Sequence, residues 1–324
     1  NIKKKFKNDL LELVDELIEK DEEYREFLQK AEKLRHERNE VSEKIAELKK
    51  KGKDTKTLMG EAKGIPGQIA DIEKKVELLK TDIIDIQKRI PNILHESVPI
   101  GKDASDNVER KKFGKIRKFD FPIKSHAELA EKLGIVDFET SGRVSGNGFF
   151  YLKGELALLN QALIRFGIDF MVKRGYTLVE PPLMIRRKFV DGCVDMTFFN
   201  DMVYKIDGED LYLIATSEHP LVGMFVDQLV DKKKLPIKLC GYSQCFRKEL
   251  GSHGIDEKGL FRTHQFNKVE QVVICKPEDS YKMYDEILKN SVDLFNELEL
   301  PTRILESCSG DLGDLKAKGA DLEV

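Results

Sequence analysis

Several features are missing from this sequence of 324 residues, and most of these absences exclude a class of protein. Tryptophan is one missing residue type, although its absence excludes no class of protein. No apolar run approaches the roughly 20 residues of a membrane-spanning helix, and no signal peptide is visible. The P-loop pattern GxxxxGK[ST] does not occur, which excludes an ATPase of that kind. The net charge is only −3 although 35% of the residues are charged, so a contact with nucleic acid must be a local patch.

Cysteine is scarce and scattered. No CxxC pair occurs, and the spacing of the cysteines does not match that of structural zinc sites. We therefore expect reduced thiols in a cytoplasmic protein, with no zinc. The five cysteines are Cys193, Cys240, Cys245, Cys275 and Cys308.

A coiled-coil pattern dominates the N-terminal part of the chain. Apolar residues recur in alternating steps of four and three over residues 65–90, and the same rhythm runs over 27–48 with Arg38 as a polar break. Gly52 lies between the two repeats, in a basic turn where its backbone freedom lets the chain reverse. The pattern predicts an antiparallel two-helix arm over residues 1–96, with helices of about 40 residues that reach roughly 60 Å.

Two features of this arm leave alternatives open. Pro66 and Gly67 fall inside the second repeat, where they mark either a kink or a late start of the helix. The heptads alone favour a dimerisation coil or a spacer. The alternative is an arm that touches an elongated polyanion, which a cluster of lysines at the tip favours. These tip lysines are Lys49, Lys50, Lys51, Lys53 and Lys56.

Two polar stretches carry the clearest chemical signal, Phe246–Glu249 and Arg262–Glu270. Both are predicted to be strands, in which side chains alternate between two faces. If they pair as a hairpin, one surface could hold a nucleotide, with arginine on phosphate, a ring on the base and a carboxylate on an amino group. A solvated charged hairpin is the alternative. The side chains predicted to share this surface are Arg247, Glu249, Arg262, His264, Phe266, Lys268 and Glu270.

The segment that follows the arm introduces a family resemblance. Residues 91–103 break the helix with two prolines, and together with 106–109 they resemble the segment after the helical arm in seryl-tRNA synthetases. Residues 125–129 and 150–154 look like the next landmarks of that family, and the likeness continues almost without interruption to Val324. Long ordered agreement of this kind is more specific than any single motif.

Three further parts resemble shared motifs of that family and its class. Residues 149–182 resemble motif 1 of class II synthetases, which builds their dimer interface, although an ordinary helix–strand unit is the alternative. The two polar stretches resemble motif 2. Residues 216–220 resemble the family's Thr-x-Glu loop, and His219 within it favours the archaeal branch.

The resemblance implies an α+β fold. An antiparallel coiled-coil arm over residues 1–96 and a linker over 97–125 would precede the class II synthetase core over 126–324, an antiparallel β-sheet flanked by helices. In the family, motif 3 and a metal-binding glutamate follow the part that this sequence covers. We therefore interpret the chain as an incomplete stretch of a longer protein.

By the same resemblance, motif 2 would bind ATP. Arg247 would hold the α-phosphate as the catalytic residue, Phe266 would stack on adenine, and Glu249 would accept from the adenine amino group. Arg262 would meet the outer phosphates. A five-coordinate phosphorus gathers negative charge, which fixed guanidinium groups stabilise. The predicted ATP-binding residues are Arg247, Lys248, Glu249, Arg262, Thr263 and Phe266.

The resemblance also implies a serine pocket. A pocket that hydrogen-bonds a hydroxyl group rejects alanine, because its buried polar groups would lose a partner. His219 and His264 are not needed as general bases, since the serine carboxylate is already ionised at neutral pH. The predicted serine-binding residues are Thr216, Ser217, Glu218 and Glu270.

The implied reaction has two steps. L-serine and ATP give seryl-adenylate and pyrophosphate, and serine then passes to the 3′ end of tRNA(Ser). Mg²⁺ would enter with ATP, and the active unit would be a homodimer whose arms grip the long variable arm of the tRNA through the tip lysines. The antiparallel motif 2 pattern excludes a Rossmann-type synthetase. A ligase that charges a carrier protein and a non-enzymatic RNA-binding relative are the alternatives.

Overall fold

The structure is a computed structural model that describes residues 1–193, 202–249 and 259–324. Within these three stretches, no helix is both long enough and apolar enough to span a membrane. All five cysteines lie in the described stretches, and all are free thiols.

The described chain forms two compact units. One consists of Asn1–Val108 and Ser307–Gly319, and the other of Glu109–Glu306 and Ala320–Val324. The predicted limits of arm, linker and core stay a prediction.

The first unit contains the helical arm. After two short 3₁₀ turns, helix α1 spans Leu11–Lys50 and helix α2 spans Lys56–Arg89. Lys20, near the start of α1, pairs with Asp82, near the end of α2, at 2.8 Å. The two helices therefore run antiparallel, and the turn between them includes Gly52 with a φ of +68°.

The seam between the two helices follows the apolar repeat. Helix α2 begins before Pro66 and continues through it, so a late start of the helix at this proline is excluded. Residues every three or four positions are buried because they form the stripe that each helix presents to the other. The buried apolar residues of α1 and α2 are Leu13, Ala31, Ile65, Ile69, Val76, Ile83 and Ile86.

Within the same unit, the segment Ser307–Gly319 packs against the start of the chain. The Lys5 side chain is buried, and its Nζ donates to the Leu312 carbonyl oxygen at 2.5 Å and pairs with Asp314 at 3.2 Å. A buried ammonium group is tolerated only when it is paired and hydrogen-bonded. These contacts therefore fix the position of the N-terminal turn.

Short strands and helices of the second unit surround one long hairpin. The strands are β1 Val108–Phe113, β2 Val136–Asp137, β3 Tyr151–Leu152, β4 Thr177–Val179, β5 Met184–Ile185, β6 Tyr212–Leu213, β7 Ile237–Phe246, β8 Gln265–Ile274, β9 Thr302–Glu306 and β10 Ala320–Glu323. The helices are α3 His126–Lys132, α4 Phe138–Val144, α5 Gly154–Lys173, α6 Arg187–Val190, α7 Glu218–Gly223 and α8 Ser280–Glu297.

Strands β7 and β8 form this antiparallel hairpin, with Ile237 opposite Ile274 and Phe246 opposite Gln265. Strand β4 runs parallel beside β7. Strand β9 lies between β1 and β10, while β2–β3 and β5–β6 form two-stranded pairs. With ten residues each, β7 and β8 are the longest strands in the described part of the chain.

Helices cover both faces of the hairpin. On one face, Phe170 of α5 packs with Cys240. On the other face, Leu221 of α7 packs with Leu239 and Val272. Consecutive strand residues such as Leu239 and Cys240 point to opposite faces, which explains why both are buried. The face next to α7 is the one that continues into the polar stretches.

Candidate active site

The two polar stretches lie where the β7–β8 hairpin turns. Strand β7 ends at Phe246 and β8 begins at Gln265, so the prediction that Arg247–Glu249 and Arg262–His264 are strands is wrong. Glu249 adopts a left-handed conformation with a φ of 49°, which ends the extended backbone. The residues between Leu250 and Lys258 lie outside the described part of the chain.

The pairing of the two stretches continues one step past the strands. The Arg247 N–H donates to the His264 carbonyl oxygen at 3.0 Å. Cys245 pairs with Phe266 in the ladder, so alternation places Arg247 on the same face as Phe266. The guanidinium carbon lies 5.2 Å from the centre of the Phe266 ring, within cation–π distance.

The segment after β6 is hydrogen-bonded to this part of the hairpin. The Phe246 N–H donates to the Ile214 carbonyl oxygen at 2.8 Å, and Arg247 Nε donates to the Ala215 carbonyl oxygen at 3.3 Å. Ile214 and Ala215 are both buried. The next residue, Thr216, is thereby held beside the hairpin.

Thr216 joins a compact polar cluster with two residues of β8. Its hydroxyl donates to Glu270 at 3.0 Å and accepts from Lys268 at 3.0 Å and from the Glu218 N–H at 3.2 Å. Lys268 and Glu270 also form an ion pair. The cluster lies on the same face of β8 as Phe266, so the predicted nucleotide and serine residues share one surface.

The remaining residues of the Thr-x-Glu loop have different positions. The Ser217 side chain is fully buried, and its hydroxyl donates to the Gly241 carbonyl oxygen at 3.4 Å. A Cβ at Gly241 would lie 2.7 Å from the Ser217 hydroxyl oxygen, so only glycine permits this approach. Ser217 therefore supports the loop from beneath, whereas Glu218 is exposed at the start of α7.

The outer residues of motif 2 are also in contact. Arg262 Nη1 lies 3.4 Å from Glu249 Oε2, which brings together the two stretches on either side of the turn. Thr263 is buried, and its hydroxyl donates to the Gln265 carbonyl oxygen at 3.0 Å. Lys248 is tied through its backbone, because its N–H donates to the Met202 carbonyl oxygen at 3.0 Å.

His219 of the Thr-x-Glu loop is buried near this surface. Burial lowers the pKa of its imidazole to about 4, and the positive charges of Lys268 and Arg247 act in the same direction. The ring is therefore neutral at physiological pH.

Comparison with known proteins identifies the family. A model of the seryl-tRNA synthetase N-terminal domain matches residues 1–94, and one of the class II tRNA synthetase core domain (G, H, P, S and T) matches 202–324. The chain is 48% identical over 320 residues to a serine–tRNA ligase of Methanocella arvoryzae, which covers 98% of the chain and 75% of that relative. The chain belongs to the seryl-tRNA synthetase family.

Two solved structures place the fold of this synthetase in the same family. Seryl-tRNA synthetase of Pyrococcus horikoshii, complexed with ATP, superposes with a TM-score of 0.89 at 40% identity over 99% of this chain and 76% of that one. Cytoplasmic serine–tRNA ligase of Naegleria fowleri, in complex with AMP, gives 0.83 at 32% identity over 99% and 74%. The predicted family, the α+β fold and the enzyme class, an ATP-dependent aminoacyl-tRNA synthetase with a coiled-coil arm, are confirmed.

The sequence alone assigns no function to two residues of the synthetase site. Strand alternation predicts only a face of the strand for Lys268, although its position between Phe266 and Glu270 signals that it shares their surface. His264 is not predicted to act as a base, yet its ring contacts Arg247. Both roles depend on a tertiary neighbour, which strand alternation does not reveal.

His264 of the synthetase is held from several sides. Its ring stacks on Phe149 with centroids 5.1 Å apart, and Nδ1 lies 3.0 Å from the Tyr204 hydroxyl oxygen and 2.9 Å from the Arg247 carbonyl oxygen. Gly148 has a φ of +77°, and a Cβ there would come within 2.5 Å of the ring. This arrangement fixes the backbone of Arg247.

A cavity of about 130 Å³ adjoins the hairpin of the synthetase but is not centred on this polar surface. Gln244, Gln265 and Asn267 alternate with the residues of the Arg247 face, so their side chains belong to the opposite face. Among the described residues, no group of three His, Cys, Asp or Glu side chains is arranged to hold a metal ion. The lining residues are Phe149, Phe150, Leu152, Asn160, Gln244, Gln265, Phe266 and Asn267.

Proposed function

We propose that this protein catalyses the full reaction of its family and that the residues named above belong to its active site. It joins L-serine to ATP, releases pyrophosphate, and transfers serine from the adenylate to the 3′ end of tRNA(Ser). The observation that carries the proposal is the adjacency of two half-sites. Ala215 accepts from Arg247 in the nucleotide half, and the next residue, Thr216, donates to Glu270 in the serine half.

This adjacency suits adenylate formation. The serine carboxylate oxygen bonds to the α-phosphorus of ATP while the bond to the pyrophosphate oxygen breaks. Arg247 stabilises the negative charge on the α-phosphoryl oxygens, because its guanidinium is held by a backbone carbonyl and lies against Phe266. Phe266 offers its ring to adenine, while Glu249 and Arg262 take the amino group and the outer phosphates.

In the serine half, Glu270 binds the substrate ammonium group. The ammonium group of Lys268 contacts both Glu270 and Thr216, which supports the binding of a cation with hydrogen-bond donors at this cluster. Thr216 and the start of α7, with Glu218, complete the pocket. The buried hydroxyl of Ser217 positions the loop through its hydrogen bond to Gly241, and it is not proposed to contact the substrate.

Mg²⁺ reaches this site as the MgATP complex. Magnesium ions retain several water ligands and bind largely through substrate phosphates, so a protein cage is not required. The substrate is therefore the magnesium complex, and the residues of this chain bind its phosphates.

The arm is the surface for tRNA(Ser). The tip lysines Lys49, Lys50, Lys51, Lys53 and Lys56 are all exposed around the turn between α1 and α2. A long variable arm is a duplex polyanion, and phosphate contacts by lysine supply affinity without reading bases.

A homodimer is the proposed active unit. Helix α5 belongs to the motif 1 region and exposes Leu158, Leu159 and Leu163 at 71%, 52% and 46% of their surface. An apolar stripe of this kind needs a partner, and a second copy of the same helix is the simplest one.

The proposed location of the enzyme is the cytoplasm, where free thiols persist.

Serine-dependent exchange of labelled pyrophosphate into ATP tests the activation step directly. The protein is expected to exchange with serine and not with alanine, whose missing hydroxyl leaves polar groups unpaired. Exchange that is equal with alanine would contradict the serine pocket, and exchange without charging of tRNA(Ser) would contradict the second step.

A further inference from the structure

An exposed basic and aromatic segment of the second unit has no role in the proposed reaction. We define the basic strip as residues 110–124, which hold seven basic and one acidic residue in a chain of net charge −3. Strand β1 ends at Phe113, and residues 114–124 form no helix or strand and are all exposed. Most side chains of the strip therefore face solvent.

Large apolar side chains are part of this exposed surface. Ile116 is 73% exposed, Phe119 51%, Phe121 60% and Ile123 74%. The Phe119 and Phe121 rings lie 5.2 Å apart at an angle of 57°. Clustered exposed apolar groups mark a binding surface more often than isolated ones do.

The charges of the strip divide into paired and unpaired groups. Within the described chain, Arg110 pairs with Glu306 and Arg117 with Glu299. Lys115 and Lys118 have no carboxylate within ion-pair distance among the described residues, while Lys111 lies over the ring of Phe113 at 5.0 Å. Ammonium groups that no protein carboxylate neutralises are available to an anionic partner.

Aromatic rings together with unpaired lysines favour nucleic acid over protein as that partner. Single-stranded RNA binds through bases stacked on aromatic rings and phosphates held by cations. Lysine is depleted in protein–protein interfaces, so a lysine-rich strip fits a protein surface poorly.

The C-terminal end of the strip adjoins the candidate active site. His126, two residues beyond it, accepts a hydrogen bond at Nε2 from the Leu260 N–H at 2.8 Å. Leu260 lies two residues before Arg262 of motif 2. Gly259 has a φ of +118°, and a Cβ there would come within 2.3 Å of the His126 ring, so the two segments are in close contact. The strip thus ends where the unpaired 3′ end of the tRNA must arrive.

We propose that the basic strip binds unpaired nucleotides near the 3′ end of the tRNA, with Phe119 and Phe121 stacking on bases and Lys115 and Lys118 contacting phosphates. This inference rests on the proposed function for the identity of the RNA. The strip would add a second tRNA contact, in the catalytic unit, to the contact proposed for the arm. Its contribution to the binding free energy has two parts that can be measured separately, one from charge and one from base stacking.

The test is the binding of a tRNA(Ser) transcript to the full chain across a range of salt concentrations. The double variant Lys115→Ala/Lys118→Ala is expected to reduce the slope of log K against log salt by about 1.4, or about 0.7 for each lost single-strand phosphate contact. The double variant Phe119→Ala/Phe121→Ala is expected to weaken binding by roughly 5- to 150-fold for each stacked base without changing the slope. Lys233→Ala/Lys234→Ala and Leu229→Ala, at exposed positions outside the strip, are the matched controls and should change neither.

Competition and self-association separate the alternatives. An unpaired oligonucleotide that ends in CCA is expected to displace the tRNA from the strip. A duplex RNA of equal length without overhangs is expected to displace the tRNA to the same extent from the wild-type protein and from the phenylalanine variant. Unchanged tRNA affinity in both strip variants would overturn the inference, as would an altered sedimentation coefficient with unaltered RNA binding. Pyrophosphate exchange needs no tRNA. If the unaltered protein shows no exchange, the proposed function is rejected without any bearing on the strip.

Discussion

Nδ1 of His264 lies 2.9 Å from the backbone carbonyl oxygen of Arg247, the residue proposed to hold the α-phosphate. A hydrogen bond between them requires the tautomer with a proton on Nδ1. The amide nitrogen of asparagine can occupy the position of Nδ1, whereas that of glutamine reaches the position of Nε2. The pair of substitutions therefore tests the bond and not merely the size of the side chain.

His264→Gln is expected to lower kcat/KM for ATP about tenfold, which corresponds to the loss of one hydrogen bond to the Arg247 backbone. His264→Asn should retain most of the activity. KM for serine should change little in either variant, because the serine half is held by Thr216 and Glu270. Equal loss in the two variants, with KM for serine raised as much as that for ATP, would indicate a general structural role instead.

Arg247→Ala is expected to reduce the rate of serine-dependent pyrophosphate exchange about 100-fold or more, since a fixed charge that stabilises the transition state is lost. Arg247→Lys should recover only part of it, because lysine lacks the planar fork of donors. Exchange near the wild-type rate in Arg247→Ala would reject the phosphate assignment. Thermal melting of both variants checks that the hairpin remains folded.

Glu270→Gln is expected to raise KM for serine at least about tenfold, because a neutral amide replaces the charge that pairs with an ammonium group. KM for ATP should stay within about twofold, since the contacts of Arg247 and Phe266 are not altered. Glu278→Gln, an exposed carboxylate in the same unit, is the matched control and should change neither constant. A larger effect on ATP than on serine would show that the two half-sites are assigned the wrong way round.

Replacing the five tip lysines of the arm by alanine is expected to weaken tRNA charging and to leave pyrophosphate exchange unaltered. The slope of log K against log salt should fall by about 0.9 for each lysine that contacts a duplex phosphate. Lys232, Lys233 and Lys234 replaced together give a control that removes three exposed positive charges far along the sequence. If charging persists unchanged in the arm variant, the arm is a spacer or a dimerisation element.

The buried imidazole of His219 makes stability depend on pH. Its pKa is about 4 in the folded chain and about 6.5 when exposed, so protonation favours the unfolded state. The contribution is fully present above pH 6.5 and is lost as the pH falls towards 4, by on the order of 3 kcal/mol. His219→Gln should flatten the pH dependence of the unfolding free energy in this interval, as measured by urea titration. The exposed His36, changed to Gln, should leave the dependence intact.

The sequence predicted the arm more completely than the site. Heptad spacing reports directly on which helix face is buried, so residues such as Ile69 and Val76 could be placed without knowledge of any neighbour. Motif 2 required more. The alternation rule correctly puts Arg247 and Phe266 on one surface, yet the strands are shorter than predicted, since they end at Phe246 and begin at Gln265.

What the sequence could not supply was the contribution of the segment after β6. Ala215 and Thr216 lie some thirty and fifty positions from Arg247 and Glu270, and no periodicity relates them. Lys268 acquires its role only when Thr216 is brought beside it. Long-range contacts of this kind depend on how β6 and α7 pack on the hairpin, which local patterns do not encode.

Gly148 touches no group assigned to a substrate, yet its lack of a side chain is what lets an imidazole rest against its backbone. A Cβ added at this position would push the ring towards the backbone of Arg247, the residue proposed to bind phosphate. The Gly148→Ala variant should therefore show the kinetics of a variant with an impaired nucleotide site, although residue 148 acts only through His264 and contacts no proposed substrate-binding residue.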